Sequence, residues 1–215
     1  MNFALQKIIC GAMEKSLKGD SIMAKYYITP TLLNSWQYNI KNGTLEDFIK
    51  VLNKEEFEPT ESIQKGFEFE KYMQEYCLET KNGAFQVKVS KEYGDYLLYG
   101  IIDCLKGGII YDYKYTKNYE VGKFLNNYQT LMYLEMVPEA RKIVYLITNK
   151  FEKIENPNAN FDDVDSLDYE VGDLFREEYT KDLFSETIDS ILHKFESWLK
   201  AYNLFEIYAE KWKCK

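Results

Sequence analysis

The sequence predicts a layered α/β or α+β domain in which helices cover a β-sheet. Three observations support this. Helix-start signals lie within residues 29–79, three strand-like runs occupy residues 84–116, and helix, strand and helix patterns alternate over residues 119–212. With 215 residues, 46% of them hydrophobic, the chain can bury one sizeable core and is short for two. We therefore expect a single domain over residues 1–215.

Four helices are predicted before the first strand. Thr29 followed by Pro30 is a good N-cap and first helical residue, and Thr44 restarts a helix after a Gly. The predicted positions are residues 3–17, 30–42, 44–52 and 61–79. The first helix lies in residues 1–26, which we expect to be a helical appendage to the domain.

The helix predicted over residues 61–79 carries a carboxylate on its apolar side. At about 100° per residue, its apolar stripe consists of Ile63, Gly66, Phe67, Met73, Cys77 and Leu78. Glu70 lies at the centre of this stripe. A carboxylate on a buried face is costly unless it is paired, neutralised or bound to a metal. Two interpretations stay open: a buried glutamate bonded to a backbone group or a lysine, and a metal ligand.

A tight β-hairpin is predicted around the pair Gly107-Gly108, which joins two apolar strand-like runs. Such a turn would pair residue 106 with 109, 105 with 110, 104 with 111 and 103 with 112. Asp103 would then face Asp112, and Lys114 would lie on the same side of the sheet because side chains alternate along a strand. Opposed Cβ atoms are about 4.5–5.5 Å apart, so the two carboxylates would repel each other.

A divalent cation, a shared proton or exposure to solvent could relieve this repulsion. Together with Glu70, Asp103 and Asp112 would make the oxygen-rich site that Mg²⁺ or Mn²⁺ prefers. Lys114 would lie beside a metal ligand, an arrangement typical of metal-assisted phosphodiester hydrolysis. The alternative for Asp112 and Lys114 is an exposed pair of charges on a strand, since Asp-x-Lys alone is a weak pattern.

After the hairpin, residues 119–136 return to a helical period and end before Pro138. Gln129 and Tyr133 lie one turn apart on this helix, which by spacing alone is typical of an ordinary helix flank. The remaining predicted elements are a buried strand over 142–148, at most one or two edge strands with a turn at 156–158 inside 151–180, and one long helix over 184–212 within the C-terminal region 181–215.

Composition limits the kinds of partner. The net charge of −8 provides no global attraction for nucleic acid, so any such binding must be local and through lysines. The four cysteines are scattered and His193 is the single histidine, which disfavours zinc and iron–sulfur sites and suits free thiols in the cytoplasm. The chain has neither an apolar run long enough to span a bilayer nor a signal peptide, so we expect no membrane partner.

Several ordered motifs resemble the RecB-type branch of the PD-(D/E)xK nucleases. They are a GxxD motif, a DYK triplet and a QxxxY motif, formed here by Gly100, Asp103, Asp112, Tyr113, Lys114, Gln129 and Tyr133. Gly66 followed by Glu70, and the segment 28–36, are similar to two further motifs of this family. The resemblance covers residues 27–150 and implies a restriction-endonuclease-like core, with a mixed central sheet flanked by helices.

The resemblance also implies Mg²⁺-dependent cleavage of DNA. Asp103 and Asp112 would bind the metal together with the backbone carbonyl of Tyr113, and Lys114 would be the catalytic lysine. A glutamate at position 70 is closer to the lambda-exonuclease-like pattern, which supports Glu70 as a direct metal ligand.

In the same resemblance, Gln129 and Tyr133 would position the DNA or the active site. Because arginine is scarce, phosphate contacts would fall to Lys117 and Lys123. The sequence contains no helicase or ATP-binding motif, so a motor, recombination or other protein partner would be a separate chain.

The expected function is a Mg²⁺- or Mn²⁺-dependent exonuclease of DNA repair, recombination or phage replication. One alternative is a non-catalytic protein of the same fold that binds DNA or a protein. Another alternative is an endonuclease acting on RNA or branched DNA.

Overall fold

The computed structural model describes residues 24–154 and 168–214. The strands in these ranges are β1 (Tyr26–Ile28), β2 (Ala84–Tyr93), β3 (Tyr96–Lys106), β4 (Ile109–Tyr115), β5 (Lys142–Thr148), β6 (Phe151–Ile154), β7 (Asp168–Val171) and β8 (Leu174–Tyr179). The α-helices are α1 (Pro30–Asn42), α2 (Leu45–Leu52), α3 (Glu61–Tyr76), α4 (Tyr128–Met136), α5 (Ile188–Ala201) and α6 (Phe205–Lys211), and Lys181–Leu183 form a 3₁₀ turn.

Strand β3 organises a six-stranded mixed sheet. Strand β2 runs antiparallel along one edge of β3, while β1 pairs parallel with its beginning and β4 pairs antiparallel with its end. The sheet continues from β4 to the parallel strand β5 and then to the antiparallel strand β8. Strands β6 and β7 form a separate antiparallel pair. The mixed central sheet flanked by helices is therefore confirmed.

Helices cover both faces of the sheet. The larger hydrophobic core includes buried side chains of α1, α2, α4, α5 and α6 together with β3 and β5. The smaller core contains Phe69 and Met73 of α3, packed against Tyr111 and Tyr113 of β4 and Phe151 of β6. Helices α3 and α4 thus belong to different cores, and the strands between them have side chains in both.

The first three described helices begin where the sequence predicts, because a threonine hydroxyl caps each one. Thr29 accepts a hydrogen bond from the Leu32 amide at 3.2 Å, and Thr44 and Thr60 cap α2 and α3 in the same way. Such caps satisfy amides that have no partner inside the helix. The threonines of the sequence therefore determine these boundaries locally.

The Gly107-Gly108 turn is confirmed, with φ values of +59° and +72°. The observed pairs are Cys104 with Tyr111, Leu105 with Ile110 and Lys106 with Ile109. The predicted fourth pair, Asp103 with Asp112, is not formed. Instead, the Tyr113 amide donates to Asp103 Oδ2 at 2.9 Å, so β3 and β4 separate at this point.

Helix α3 differs from its prediction in length and in orientation. It ends at Tyr76 rather than at residue 79, and Leu78, expected on the buried stripe, is 81% exposed. The buried residues of the helix are Phe69 and Met73. Glu70 therefore lies beside the buried face and not at its centre, because packing against β4 and β6 selects the stripe through Phe69.

The helix predicted over residues 119–136 begins only at Tyr128. Gly122 has a φ of +81°, and the Asn127 side chain caps α4 by accepting from the Gln129 amide at 2.8 Å. Val121, which the helical pattern placed on an apolar flank, is 89% exposed. The preceding residues form turns, so the apolar period there does not reflect a helix.

The predicted single C-terminal helix is wrong, because the chain breaks between α5 and α6 at Asn203, which has a φ of +58°. Residues 151–180 contain three described strands rather than one or two. The predictions of a helix over 3–17, an appendage over 1–26 and a turn at 156–158 lie in full or in large part outside the described residues. Within the described ranges, no helix is long and apolar enough to cross a membrane.

Candidate active site

The candidate site lies where β3 and β4 separate. Between the stretch of β3 paired with β1 and the stretch paired with β4, no described strand pairs with this edge of β3. Helix α4 covers the opening, and the Tyr133 hydroxyl donates to the Ile101 carbonyl at 2.6 Å. A Cβ at Gly100 would lie 2.6 Å from Tyr133 Cε1. Glycine at position 100 therefore allows α4 to approach the strand.

The opposite edge of β3 is also irregular. The non-glycine residue Gln86 in β2 has a left-handed backbone with a φ of +52°. On one side of it, the pair Phe85–Cys104 packs with the smaller core, whereas the next pair, Val87–Ile102, packs with the larger core. Residues two apart normally face the same side, so the ribbon of β2 and β3 turns over at Gln86. This turn lets α3 and α4 approach one place from different cores.

Asp112 is the most buried member of the site, with 1% exposure. Lys114 Nζ lies 2.5 Å from Asp112 Oδ1 as an ion pair, and the Gln129 amide donates to Asp112 Oδ2. The pair with Lys114 lacks hydrogen-bond geometry, since Asp112 Oδ1 accepts no hydrogen bond from the described residues. One buried carboxylate oxygen thus remains able to accept a further partner.

Glu70 reaches the site from α3. Gln74, one helical turn further on, donates to Glu70 Oε1 at 3.0 Å, and Gln86 of β2 donates to the same oxygen. Two neutral amides therefore hold the carboxylate at the boundary between α3 and the β2–β3 ribbon.

The pKa values show that the charges act on one another. Burial raises the pKa of Asp103 well above its ordinary value, and the charges of Asp112 and Glu70 raise it further. Burial also raises the pKa of Glu70 and of Asp112, although the ammonium of Lys114 opposes both shifts. Burial would lower the pKa of Lys114, but the surrounding carboxylates outweigh it and raise that pKa. The structure therefore brings all four predicted residues into one electrostatic cluster.

The cluster is not arranged as a finished metal centre. Over the described ranges, no group of three or more His, Cys, Asp and Glu side chains could hold a metal ion as placed. The oxygens of Glu70 and Asp112 face amide donors and Lys114 instead. A cation would have to displace some of these partners.

Other predicted residues have different surroundings. The Tyr113 side chain points away from the carboxylates, and its hydroxyl donates to Thr80 Oγ1 at 2.8 Å. Lys117 Nζ lies 3.8 Å from Glu61 Oε2. Lys123 Nζ donates to Thr116 Oγ1 at 2.6 Å and to the Asn118 carbonyl at 2.8 Å. The two lysines are exposed in or beside the loop that precedes α4, and they do not contact the carboxylates through these bonds.

Sequence reasoning missed three residues that organise the site. Gln74 could have been found, because it lies four residues after Glu70 on the same helix. Gln86 gave no sequence signal, since a glutamine with a positive φ is not expected from its type. Glu177 of β8 accepts from the Tyr119 hydroxyl at 2.8 Å and from the Gly122 amide at 2.6 Å. It thereby anchors the loop that leads from Lys114 to Gln129.

Comparisons with known proteins assign neither a family nor a function. No protein-family model matches the sequence, and no curated protein matches it. The structure is similar to the crystal structure of SSO0001, with a TM-score of 0.47 and 14% identity over 94% of this chain and 88% of that chain. It is also similar to LHK-Exo in complex with dAMP, with a TM-score of 0.46 and 13% identity over 85% and 88% of the two chains.

A third similar structure is that of a candidate exonuclease from Eubacterium rectale. The TM-score is 0.36 and the identity 16%, over 94% of this chain and 74% of that chain. At these TM-scores and identities, the argument for function has to come from the site itself.

Proposed function

We propose that this protein is a metal-dependent deoxyribonuclease that hydrolyses phosphodiester bonds, and that it acts as an exonuclease in DNA repair, recombination or phage replication. The observation that carries the proposal is the buried cluster of Glu70, Asp103, Asp112 and Lys114 at the fork of β3 and β4. Carboxylates with raised pKa values around one lysine are typical of active sites rather than of structural ion pairs.

The donor set fits Mg²⁺ or Mn²⁺. It offers carboxylate oxygens without histidine or cysteine, and one buried oxygen of Asp112 accepts no hydrogen bond from the described residues. Glu70, Asp103 and Asp112 would hold the ion, and the backbone carbonyl of Tyr113 would add a fourth oxygen. When bound, such an ion lowers the pKa of a coordinated water and offsets phosphate charge.

The protein's own groups have separable tasks in this proposal. Lys114 is protonated at neutral pH because its pKa is raised, so it would orient water and stabilise negative charge on the phosphate rather than act as a base. Gln129 holds Asp112, while Tyr133 holds the free edge of β3 through Ile101. These two residues would position the site and not bind DNA directly.

The test is a cleavage assay on linear duplex, circular and single-stranded DNA and on RNA, with Mg²⁺, Mn²⁺ or EDTA. Asp112→Ala and Lys114→Ala should each reduce the rate by about 10²–10⁴-fold, the range for loss of a catalytic group. Lys88→Ala, at an exposed position of β2, should retain the wild-type rate. Cleavage of circular DNA would identify an endonuclease, RNA cleavage would change the substrate, and cleavage in EDTA would contradict the metal-dependent mechanism.

A second candidate is a non-catalytic protein of this fold that binds DNA or a protein partner in the cytoplasm. It is favoured by the carboxylates already being paired with amides and Lys114, without a three-ligand metal arrangement among the described residues. Binding of DNA without metal-dependent cleavage, unchanged in Asp112→Ala, would support this candidate. A helicase or recombination partner would then be a separate chain.

A further inference from the structure

A cavity of about 420 Å³ lies beside the first turn of α4 and apart from the carboxylates. Its walls come from α1, from the end of the loop before α4, and from the segment around Lys181–Leu183. This volume is in the range of small-molecule sites, which is about 300–1,000 Å³.

The rim of the cavity is unusually apolar for a surface. Ile40 is 51% exposed, Leu125 is 37% exposed and Leu183 is 54% exposed, and all three line the cavity. They come from three different segments of the chain. Exposed apolar side chains that converge on one concavity are typical of a binding site, whereas isolated ones need no explanation.

The interior offers an aromatic wall and several amides. The ring of Tyr128 stacks on Trp36, with centroids 6.0 Å apart and planes inclined by 20°. The Gln37 amide donates to the Asn126 carbonyl at 2.9 Å, which ties α1 to the loop before α4. Aromatic faces and side-chain amides are the groups with which proteins stack unpaired bases and hydrogen-bond to their edges.

The cavity and the candidate active site share one helical turn. Asn127 and Tyr128 line the cavity, and the next residue, Gln129, donates to Asp112. The charge at the cavity is balanced rather than positive, since Lys41 and Glu186 both line it and Glu186 is paired with Lys194. A phosphate would gain little there, whereas a flat and uncharged ring would fit the apolar rim.

We propose that this cavity binds a single unpaired nucleobase of the DNA strand whose backbone enters the carboxylate cluster. The inference rests on the proposed function for the course of that strand. The base would lie between the exposed apolar rim and Tyr128, which Trp36 supports from behind, with its edge towards the amides. A duplex base would first have to leave its stack.

The test measures binding in EDTA, so it does not depend on cleavage. A labelled single-stranded DNA oligonucleotide is compared with versions that lack the base at one position each, by fluorescence anisotropy. One position should show about a 10-fold weaker affinity without its base, the order expected for loss of one stacked base. In Tyr128→Leu and in Leu183→Asn this penalty should fall to less than about 3-fold, because the base site is already impaired.

Leu174→Asn is the matched control, because Leu174 is 49% exposed and does not line the cavity. It should keep the full penalty, and thermal melts should show that Leu183→Asn folds. Equal penalties at every position, or an unchanged penalty in both cavity variants, would overturn the inference. A position-specific penalty in a protein that cuts no DNA would support the cavity and overturn only the nuclease. Cleavage without such a penalty would do the reverse.

Discussion

At the scale of single residues, the carboxylate of Asp103 costs stability and is retained beside two others. Burial and the charges of Asp112 and Glu70 raise its pKa well above the ordinary value. A raised carboxyl pKa means that the folded protein binds the proton more tightly than the unfolded chain does. Stability is therefore lost as the pH rises from the ordinary value towards the raised one.

Asp103→Asn should stabilise the metal-free protein at neutral pH by about 1–2 kcal/mol, the usual gain from relieving an unfavourable feature of an active site. The asparagine can still accept from the Tyr113 amide while removing the repulsive charge. Thermal melts in EDTA check this, and the advantage should disappear below about pH 4, where the unfolded aspartate is protonated.

Asp173→Asn, in the exposed turn between β7 and β8, serves as the control and should change little. Mg²⁺ should raise the melting temperature of the wild type more than that of Asp103→Asn, because the variant lacks one proposed ligand. An asparagine variant that is less stable than the wild type at pH 7.5 would show that Asp103 is not under repulsion.

At the scale of secondary-structure elements, the contact of α4 with β3 requires a glycine. A Cβ at Gly100 would lie 2.6 Å from Tyr133 Cε1 and 3.2 Å from Met136 Cε. Gly100→Ala should therefore displace α4 and cost about 1–3 kcal/mol, as overpacking does. Urea unfolding measures the cost, and the proposed cleavage activity should fall because Gln129 and Tyr133 move.

Gly66→Ala is the opposite case and the control. A Cβ at Gly66 in α3 would meet no atom within 4 Å, and alanine favours a helix by up to about 1 kcal/mol. Gly66→Ala should be as stable as the wild type or more stable. Equal destabilisation by the two substitutions would contradict the close contact at Gly100.

Strand β8 holds the loop before α4 through Glu177. One oxygen accepts from Tyr119 and Gly122, and the other accepts from the Tyr179 hydroxyl. Glu177→Gln replaces an acceptor by an amide donor and should cost about 1–3 kcal/mol. Hydrogen exchange of the Gly122 amide should also become faster. Tyr179→Phe removes only the bond to the second oxygen and should leave this exchange unchanged; faster exchange in both variants would contradict the separate roles.

At the scale of the whole molecule, the last described residues close onto the first ones. The Tyr27 amide donates to the Trp212 carbonyl at 2.7 Å, and the Cys214 amide donates to the Lys25 carbonyl at 2.8 Å. The Tyr208 hydroxyl donates to the Tyr27 carbonyl at 2.9 Å, and Trp212 Nε1 donates to the Leu52 carbonyl at 3.0 Å. Helix α6 thus fastens β1 and α2 to the core.

Deleting residues 205–215 should therefore cost more than about 4 kcal/mol, since burial of two large aromatic side chains alone contributes about 1.5–3 kcal/mol each. This is a large fraction of the stability of an ordinary domain. Loss of a cooperative urea transition is the expected result. Tyr208→Phe, which removes one hydrogen bond, should cost only about 1 kcal/mol and keep the transition. An unchanged transition in the deletion would show that α6 is dispensable.

The sequence was most informative where the physical cause is local. The Gly107-Gly108 turn, the threonine caps and the strand β5 follow from backbone freedom, capping chemistry and apolar runs, which act within a few residues. The candidate cluster was also predicted, because period-2 alternation places Asp112 and Lys114 on one face. It was less informative about exposure, as Leu78 and Val121 show, because packing decides which apolar stripe is buried.

The sequence by itself determined the kind of chemistry available: three acidic residues, one lysine and a hairpin that aligns them. Only the tertiary structure decided how they meet. The left-handed backbone of Gln86 turns the β2–β3 ribbon, and Glu177 fixes the loop before α4 from a distant strand. Both effects depend on contacts between residues far apart in the chain, and a local pattern carries no information about such contacts. The position of the cavity beside Tyr128 has the same origin, since three separate segments build it.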